Sequence, residues 1–165
     1  MEISFLIPTR NRPKDLKNNL LYLSKLNIQN LNSEIIVLDD CSELSYDSVL
    51  LEFKNIQYFK NSSPMGISHV RNKLAQYAKG KYLIFLDDDV LISNKTSVNL
   101  IYDLFEKDNT LSLISFNISA HINKNESSSG KMTVFKQIPF KKYQLYFNSN
   151  LHNKINYVSY FIGAA

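Results

Sequence analysis

A chain of 165 residues, 44% apolar and 21% charged, has the size and composition of one globular domain able to bury a real core. Its net charge of +4 and pI near 9.0 favour anionic partners without choosing among a nucleotide, a nucleic-acid backbone and an anionic membrane surface. The single cysteine, Cys41, excludes an internal disulfide and fits a reducing compartment, and the four glycines leave no room for a glycine-rich phosphate loop.

The N-terminus does not read as a signal peptide, because Glu2 is acidic and the apolar run 3–7 meets Pro8 at once; nor does any later apolar run approach a membrane span. Ile3, Phe5, Leu6 and Ile7 predict a first strand ended by Pro8, with residues 9–12 as a loop at its carboxyl end. Pro13 suits the first position of a helix, and Leu16, Leu20, Leu23 and Leu26 recur at helical spacing, so that helix should end near 27–30. Ile35, Ile36, Val37 and Leu38 predict a second buried strand running into Asp39 and Asp40. A weaker helix carries Val49, Leu50 and Phe53, and Ile56, Tyr58 and Phe59 alternate as a third strand. Residues 61–64 form a turn, and a helix over 66–79 places Ile67, Val70, Leu74 and Ala78 on one face before Gly80 stops it.

Residues 82–86 are a continuous apolar run bounded by Gly80 and by Asp87, Asp88 and Asp89. The run reads as a strand buried on both faces, the pattern of a parallel sheet wrapped by helices. Ligands of open α/β sheets bind beyond the carboxyl ends of the strands, where these acids stand. Three adjacent carboxylates repel one another, and a hard divalent cation, Mg2+ or Mn2+, would relieve that repulsion. The alternative is a solvated acidic turn that only stops the strand. Beyond it, Val98, Ile101, Leu104 and Phe105 predict a helix and residues 111–118 a strand. Residues 123–130 read as a polar, mobile loop, and 132–137 and 143–147 as strands or irregular edges, followed by the apolar run 157–162. Strand and helix alternate about four times in the first half, which implies right-handed parallel crossovers, with later strands added at the sheet edge.

Several strand ends bring polar groups to one edge: residues 9–12, Asp39 and Asp40, residues 61–66, and the 87–89 triplet, with Arg71 and Lys73 on the helix that follows the third strand. A nucleoside diphosphate needs this mixture. Carboxylates accept hydrogen bonds from a base or ribose, arginine grips a planar or anionic group, and a metal neutralises the pyrophosphate. Taken singly, Asp39 or Asp40 could equally be a turn or capping residue, and Arg71 an exposed helix residue.

Four stretches, SFLIPTRNRPKDL, EIIVLDDCS, MGISHVRNKLAQYAKGKYLIFLDDDV and the closing YFIGAA, resemble the family-2 glycosyltransferases of the GT-A fold. They are similar in order and spacing to that family's "iPtyNR", "vvDDgS", "G...aRN.g...a.G.yi.flDdD" and its later glycine, represented here by Gly163. The resemblance implies an α/β fold, a Rossmann-like and mostly parallel sheet flanked by helices, with added edge strands in the C-terminal part. It implies one nucleotide-sugar-binding domain over 1–165 and a donor that is most often a UDP-sugar. By the same resemblance Pro8, Thr9 and Arg10 line the base pocket, Asp39 bonds the uracil ring, and Gly66 and Arg71 lie by the base or diphosphate. Asp88 holds the ribose, and Asp89, with Asp87, holds the divalent metal, Mn2+ or Mg2+. Arg10 departs from the family's usual aromatic residue, and Cys41 from its usual glycine.

The family transfers the sugar with inversion to a hydroxyl of a saccharide or other acceptor, a general base removing the hydroxyl proton. That base lies beyond the glycine resembled by Gly163, and Asp108 and Glu126 stand too early to match it. No catalytic base is therefore assigned, and the chain is expected to be the donor-binding part of a longer enzyme of polysaccharide biosynthesis. The expected location is the cytoplasm, with peripheral association at the inner face of the membrane. A nucleotide-sugar-binding module without turnover is the alternative. A sugar nucleotidyltransferase is disfavoured because residues 7–16 lack glycine, a receiver domain because the acids follow the wrong strands, and nucleic-acid binding because Lys and Arg are scattered rather than striped.

Overall fold

The computed structural model describes residues 1–92, 96–116 and 132–136. The chain divides into two compact units, Met1–Asn99 and Leu100–Ala164. In the first, β1 (Ile3–Thr9), β2 (Ser33–Asp39), β3 (Ile56–Lys60) and β4 (Tyr82–Phe85) form a parallel sheet in the order β3-β2-β1-β4. Between them run α1 (Pro13–Leu23), α2 (Asp47–Glu52) and α3 (Ile67–Tyr77).

Side chains alternate across a strand, and here the alternation sorts the core into two layers. Ile3, Phe5, Ile7 and Val37 face one side and pack with Leu16, Leu20 and Leu23 of α1 and Val49 of α2. Leu6, Ile36 and Leu38 face the other side and pack with Val70 and Leu74 of α3. Every position of β1 is buried. Each fully buried leucine contributes about 2 kcal/mol, so α1 is held mainly by its three.

The expected strand and helix types are present, with four corrections. Pro8 does not end β1; it lies inside the strand, in register with Leu38. The carbonyl of Leu6 accepts from the Leu86 N–H, so it faces β4. Pro8, two residues on, faces the same side, beyond the last β1–β4 pair at Leu6 and Phe85, and its missing N–H costs no ladder bond. Second, α1 stops at Leu23 rather than near 27–30, because Lys25 and Leu26 donate to Tyr22 and Leu23, three residues back, and tighten the chain out of the helix. Third, α3 gives way to extended backbone at Ala78, and Ile67 in its first turn is 50% exposed instead of facing inward. Fourth, β4 is not buried on both faces: Leu83 is 36% exposed. Among the described residues β4 is paired only with β1, which leaves one side unladdered.

The amino end of the sheet is closed by a carboxylate. Glu34, 7% exposed, accepts from the Ser4 hydroxyl at 2.6 Å, from the Lys79 N–H at 2.7 Å and from the Gln57 amide at 2.7 Å. Burial pushes the Glu34 carboxyl up, but these bonds outweigh it and hold the group below the ordinary glutamate range. Gly80, expected only as a helix stop, is required by a close approach: a Cβ there would stand 2.5 Å from the Ser4 backbone nitrogen.

In the second unit α4 (Val98–Lys107, whose first residues belong to the first unit) carries Ile101, Leu104 and Phe105, which pack with Leu111 and Ile114. Next, β5 (Leu111–Phe116) pairs antiparallel with β6 (Met132–Lys136) in a ladder of their own. The expectations for 117–118, 123–130, 143–147, 157–162 and Gly163 lie outside the described residues.

Candidate functional site

Thr9 ends β1 and Asp39 ends β2 in direct register, while Asp87, Asp88 and Asp89 follow β4 on the far side of β1. The carboxyl ends of neighbouring strands thus converge around Thr9. Its hydroxyl donates to Asp88 Oδ2 at 2.7 Å and accepts from the Tyr46 hydroxyl at 2.8 Å, which in turn accepts from the Arg12 backbone N–H at 3.0 Å. The relay runs one way, because a carboxylate can only accept. The Asp88 side chain is 7% exposed. Burial pushes its carboxyl up, and the Thr9 bond and the Arg12 charge offset only part of that, so it stays above the ordinary aspartate range.

The flanking acids are exposed and paired with arginines. Arg12 Nη1 lies 2.8 Å from Asp89 Oδ2 and 3.4 Å from Asp88 Oδ1. Arg71 Nη2 donates to Asp87 Oδ1 at 2.6 Å. The Coulombic pull of Asp88, then of Asp89, raises the Arg12 pKa further above its ordinary value. Arg71 keeps a second donor: its Nε is buried and has no hydrogen-bond partner among the described residues. From α1, the buried Asn19 amide donates to the backbone carbonyls of Asp87 at 3.2 Å and Val90 at 2.6 Å, which pins the acidic turn.

The two acids after β2 organise loops. Asp39 is fully buried; its Oδ1 accepts from the Ser42 N–H and hydroxyl, and its Oδ2 from the Tyr58 hydroxyl at 2.8 Å. Burial, then the bond to Asp39, drives the Tyr58 hydroxyl far above the ordinary tyrosine range, so it remains a donor. Asp40 Oδ1 accepts from the Asn61 amide and the Met65 N–H, and its Oδ2 from the Gly66 N–H at 2.9 Å. Burial pushes Asp40 up; those bonds, with the charge of exposed Arg10, hold it below the ordinary range. Gly66 sits at φ 83°, a left-handed conformation that suits glycine and lets it lead into α3. Asn11 and Cys41 are also left-handed, at φ 55° and 60°. The Asn11 side-chain oxygen accepts from the Glu43 and Leu44 N–H groups and thereby ties the first loop to the second.

Of the residues singled out in the sequence, Thr9, Asp88 and Asp89 are joined by direct contact and through Arg12, and Arg71 and Asp87 form a separate pair on the same acidic turn. Pro8 is buried in β1, and Gly66 and Asp40 form the edge of the 61–66 loop. Arg12 belongs to the 9–12 loop expected at this edge, without a role of its own; Tyr46 and Asn19 are absent from the sequence reading. Arg12 was legible, as the last residue of the opening motif. So was Asn19, which interrupts the apolar face of Leu16, Leu20 and Leu23. Nothing local marks Tyr46, whose role depends on a contact 37 residues back.

The family model described as "Glycosyl transferase family 2" matches residues 4–162. The chain belongs to that family. Among its relatives, UDP-Glc:alpha-D-GlcNAc-diphosphoundecaprenol beta-1,3-glucosyltransferase WfgD of Escherichia coli is 28% identical over 143 residues, 85% of this chain and 54% of that protein. In fold the chain is similar to TarS of S. aureus in complex with UDP-GlcNAc, with a TM-score of 0.59 and 23% identity over 65% of this chain and 32% of the other. It is likewise similar to the mannosyltransferase PcManGT from Pyrobaculum calidifontis in complex with GDP-Man and Mn2+, with a TM-score of 0.59 and 19% identity over 67% and 33% of the two chains. The chain therefore spans about half the length of WfgD and about a third of these solved chains.

The carboxylates of the 87–89 turn can be tested against a divalent ion. Asp87 and Asp89 are 50% and 54% exposed, and each has one oxygen on an arginine and the other unbonded among the described residues. Magnesium-class ions are bound through one or two carboxylates, with waters and substrate phosphates completing the shell. The two acids fit that pattern. Among the described residues no group of three ligating side chains is preassembled.

Proposed function

We propose that this family-2 domain binds a nucleotide-activated sugar, a UDP-sugar first, against the 87–89 turn and serves its transfer to an acceptor hydroxyl with inversion. The observation that carries the reading is the alternation of acids and arginines at one sheet edge: Thr9 on Asp88, Arg12 on Asp89, Arg71 on Asp87. A diphosphate between a cation and guanidinium groups meets both kinds of partner it needs.

In this reading Asp89 and Asp87 hold Mn2+ or Mg2+, which when bound supplies Lewis-acid stabilisation of the departing diphosphate. Asp88, fixed by Thr9, accepts from the ribose. Pro8, Thr9 and Arg10 line the base pocket, and Arg71, with its unspent Nε, binds beside the diphosphate. Asp39 acts from beneath, since its bonds to Ser42 and Tyr58 shape the loop under the base, and Asp40 holds Gly66 at the pocket edge. The acceptor is a saccharide or other hydroxyl compound.

Peripheral association with the inner face of a membrane belongs to the same proposal, supported by the net charge of +4 and by the diphosphoundecaprenol in the name of WfgD. No helix among the described residues is long and apolar enough to cross a membrane.

Isothermal calorimetry of the chain with UDP, with and without manganese, tests the proposal. Saturable binding that strengthens with manganese is expected. Absence of heat at millimolar UDP and manganese would sink it. Release of UDP from a UDP-sugar in the presence of acceptors separates transfer from binding alone.

A further inference from the structure

The acids that would receive a cation are already neutralised by the protein itself. Arg12 reaches across from the loop after β1 and places one nitrogen 2.8 Å from Asp89 and 3.4 Å from Asp88. It is half exposed, with a side-chain exposure of 50%. Its backbone, by contrast, is fixed: the N–H is on Tyr46 and the carbonyl caps α1 through the Leu16 N–H. A long side chain on a fixed base can swing without disturbing the fold.

A guanidinium and a divalent ion on one carboxylate repel each other, and on Asp89 the half-exposed Arg12 is the partner able to move. The Arg12 guanidinium, planar and weakly hydrated, pairs as well with a phosphate as with a carboxylate. We propose that Arg12 is an exchangeable counter-cation: it occupies Asp88 and Asp89 when no metal is bound, yields Asp89 to the metal, and pairs instead with the donor's diphosphate. Arg71 is less suited to this exchange. Its side chain is 28% exposed and its Nε buried, so it stays on Asp87 Oδ1 and leaves the other Asp87 oxygen open.

The inference rests on the nucleotide-sugar reading and adds a sign to it. Arg12 opposes metal binding in the empty protein and favours nucleotide binding in the metal-loaded one. Metal and nucleotide then strengthen each other through Arg12, and by linkage each does so by the same factor. A merely structural arginine would have a different signature, because its loss would weaken both ligands together.

The test compares the full 165-residue chain with Arg12→Gln and Arg12→Lys. Free manganese is titrated by electron paramagnetic resonance without nucleotide, and UDP by calorimetry at saturating manganese, with circular dichroism as the check on folding. The expected result for Arg12→Gln is manganese affinity higher by roughly three- to tenfold and UDP affinity lower by about tenfold, so the coupling between them shrinks. Arg12→Lys, which keeps the charge but not the fork, should leave manganese affinity within about twofold of wild type and still lose part of the UDP affinity. Weaker manganese binding by a folded Arg12→Gln chain, or unchanged coupling, overturns the exchange while leaving the nucleotide-sugar reading intact. Wild-type chain that binds neither ligand overturns both.

Discussion

Thr9 shows how one hydroxyl can connect two roles. It gives its proton to a buried carboxylate and takes one from Tyr46, so replacing it with valine strands both partners at nearly constant shape. Thr9→Val is expected to lower stability at pH 7 by about 1–3 kcal/mol, read from urea midpoints. Asp88 binds its proton more tightly when folded than unfolded, so its ionisation lowers stability as pH rises through the folded pKa. The valine variant loses a bond made to the ionised form, and its deficit should narrow as pH is lowered and Asp88 protonates. A deficit that does not change with pH would assign the loss to Tyr46 alone. At this scale the acids could be read from the sequence, because Asp87, Asp88 and Asp89 are adjacent and follow an apolar run. Which acid each arginine pairs with could not, since Arg12 and Arg71 meet them across 76, 77 and 16 residues through flexible side chains.

Among the elements, the connection from α3 into β4 is the tightest joint. Gly80 is pressed against β1, and Gly80→Ala must push the strands apart by moving backbone rather than a flexible side chain. A loss of about 2–4 kcal/mol is expected in chemical denaturation, consistent with overpacking combined with a broken bond from the Gly80 N–H to Ser4. Glu34 beside it gives a pH signature. Its folded pKa is depressed, so its contribution is present above the unfolded value of about 4.3 and is lost as pH falls through the folded one. Glu34→Ala should cost about 1–3 kcal/mol at pH 7, and the gap to wild type should close on acidification below about pH 4. Glu34→Gln should cost less, because Gln57 can rotate its amide to accept from the new donor. Strand and helix order was legible because periods of 2 and 3.6 are local. That β4 is paired on one side only among the described residues was not, because edge status depends on which distant segments pair. For the same reason Pro8 looked like a terminator until its facing direction was known.

For the whole molecule, family membership rests on motifs spread over residues 4–162, whereas the described geometry covers the first unit most fully. If the first unit binds a donor, ligand binding should stabilise the folded chain as a whole. At 100 times its dissociation constant UDP adds about 2.7 kcal/mol, which corresponds to a rise in Tm of roughly 5–10 °C for a chain of this size. The rise should be smaller without manganese. An equal rise with and without the metal would remove the cation from the site. The excess of positive charge should make the same binding weaken with salt, as partners of opposite sign do when screened.

Pro8 has one more consequence. Its nitrogen carries no hydrogen, so main-chain zipping between the first and fourth strands has a covalently fixed stopping point just short of the aspartate triplet. Below that point the amides should exchange with deuterium slowly; above it no β1–β4 rung is present among the described residues to protect them. The notch that results is written into an imide ring and is independent of any side-chain rotamer.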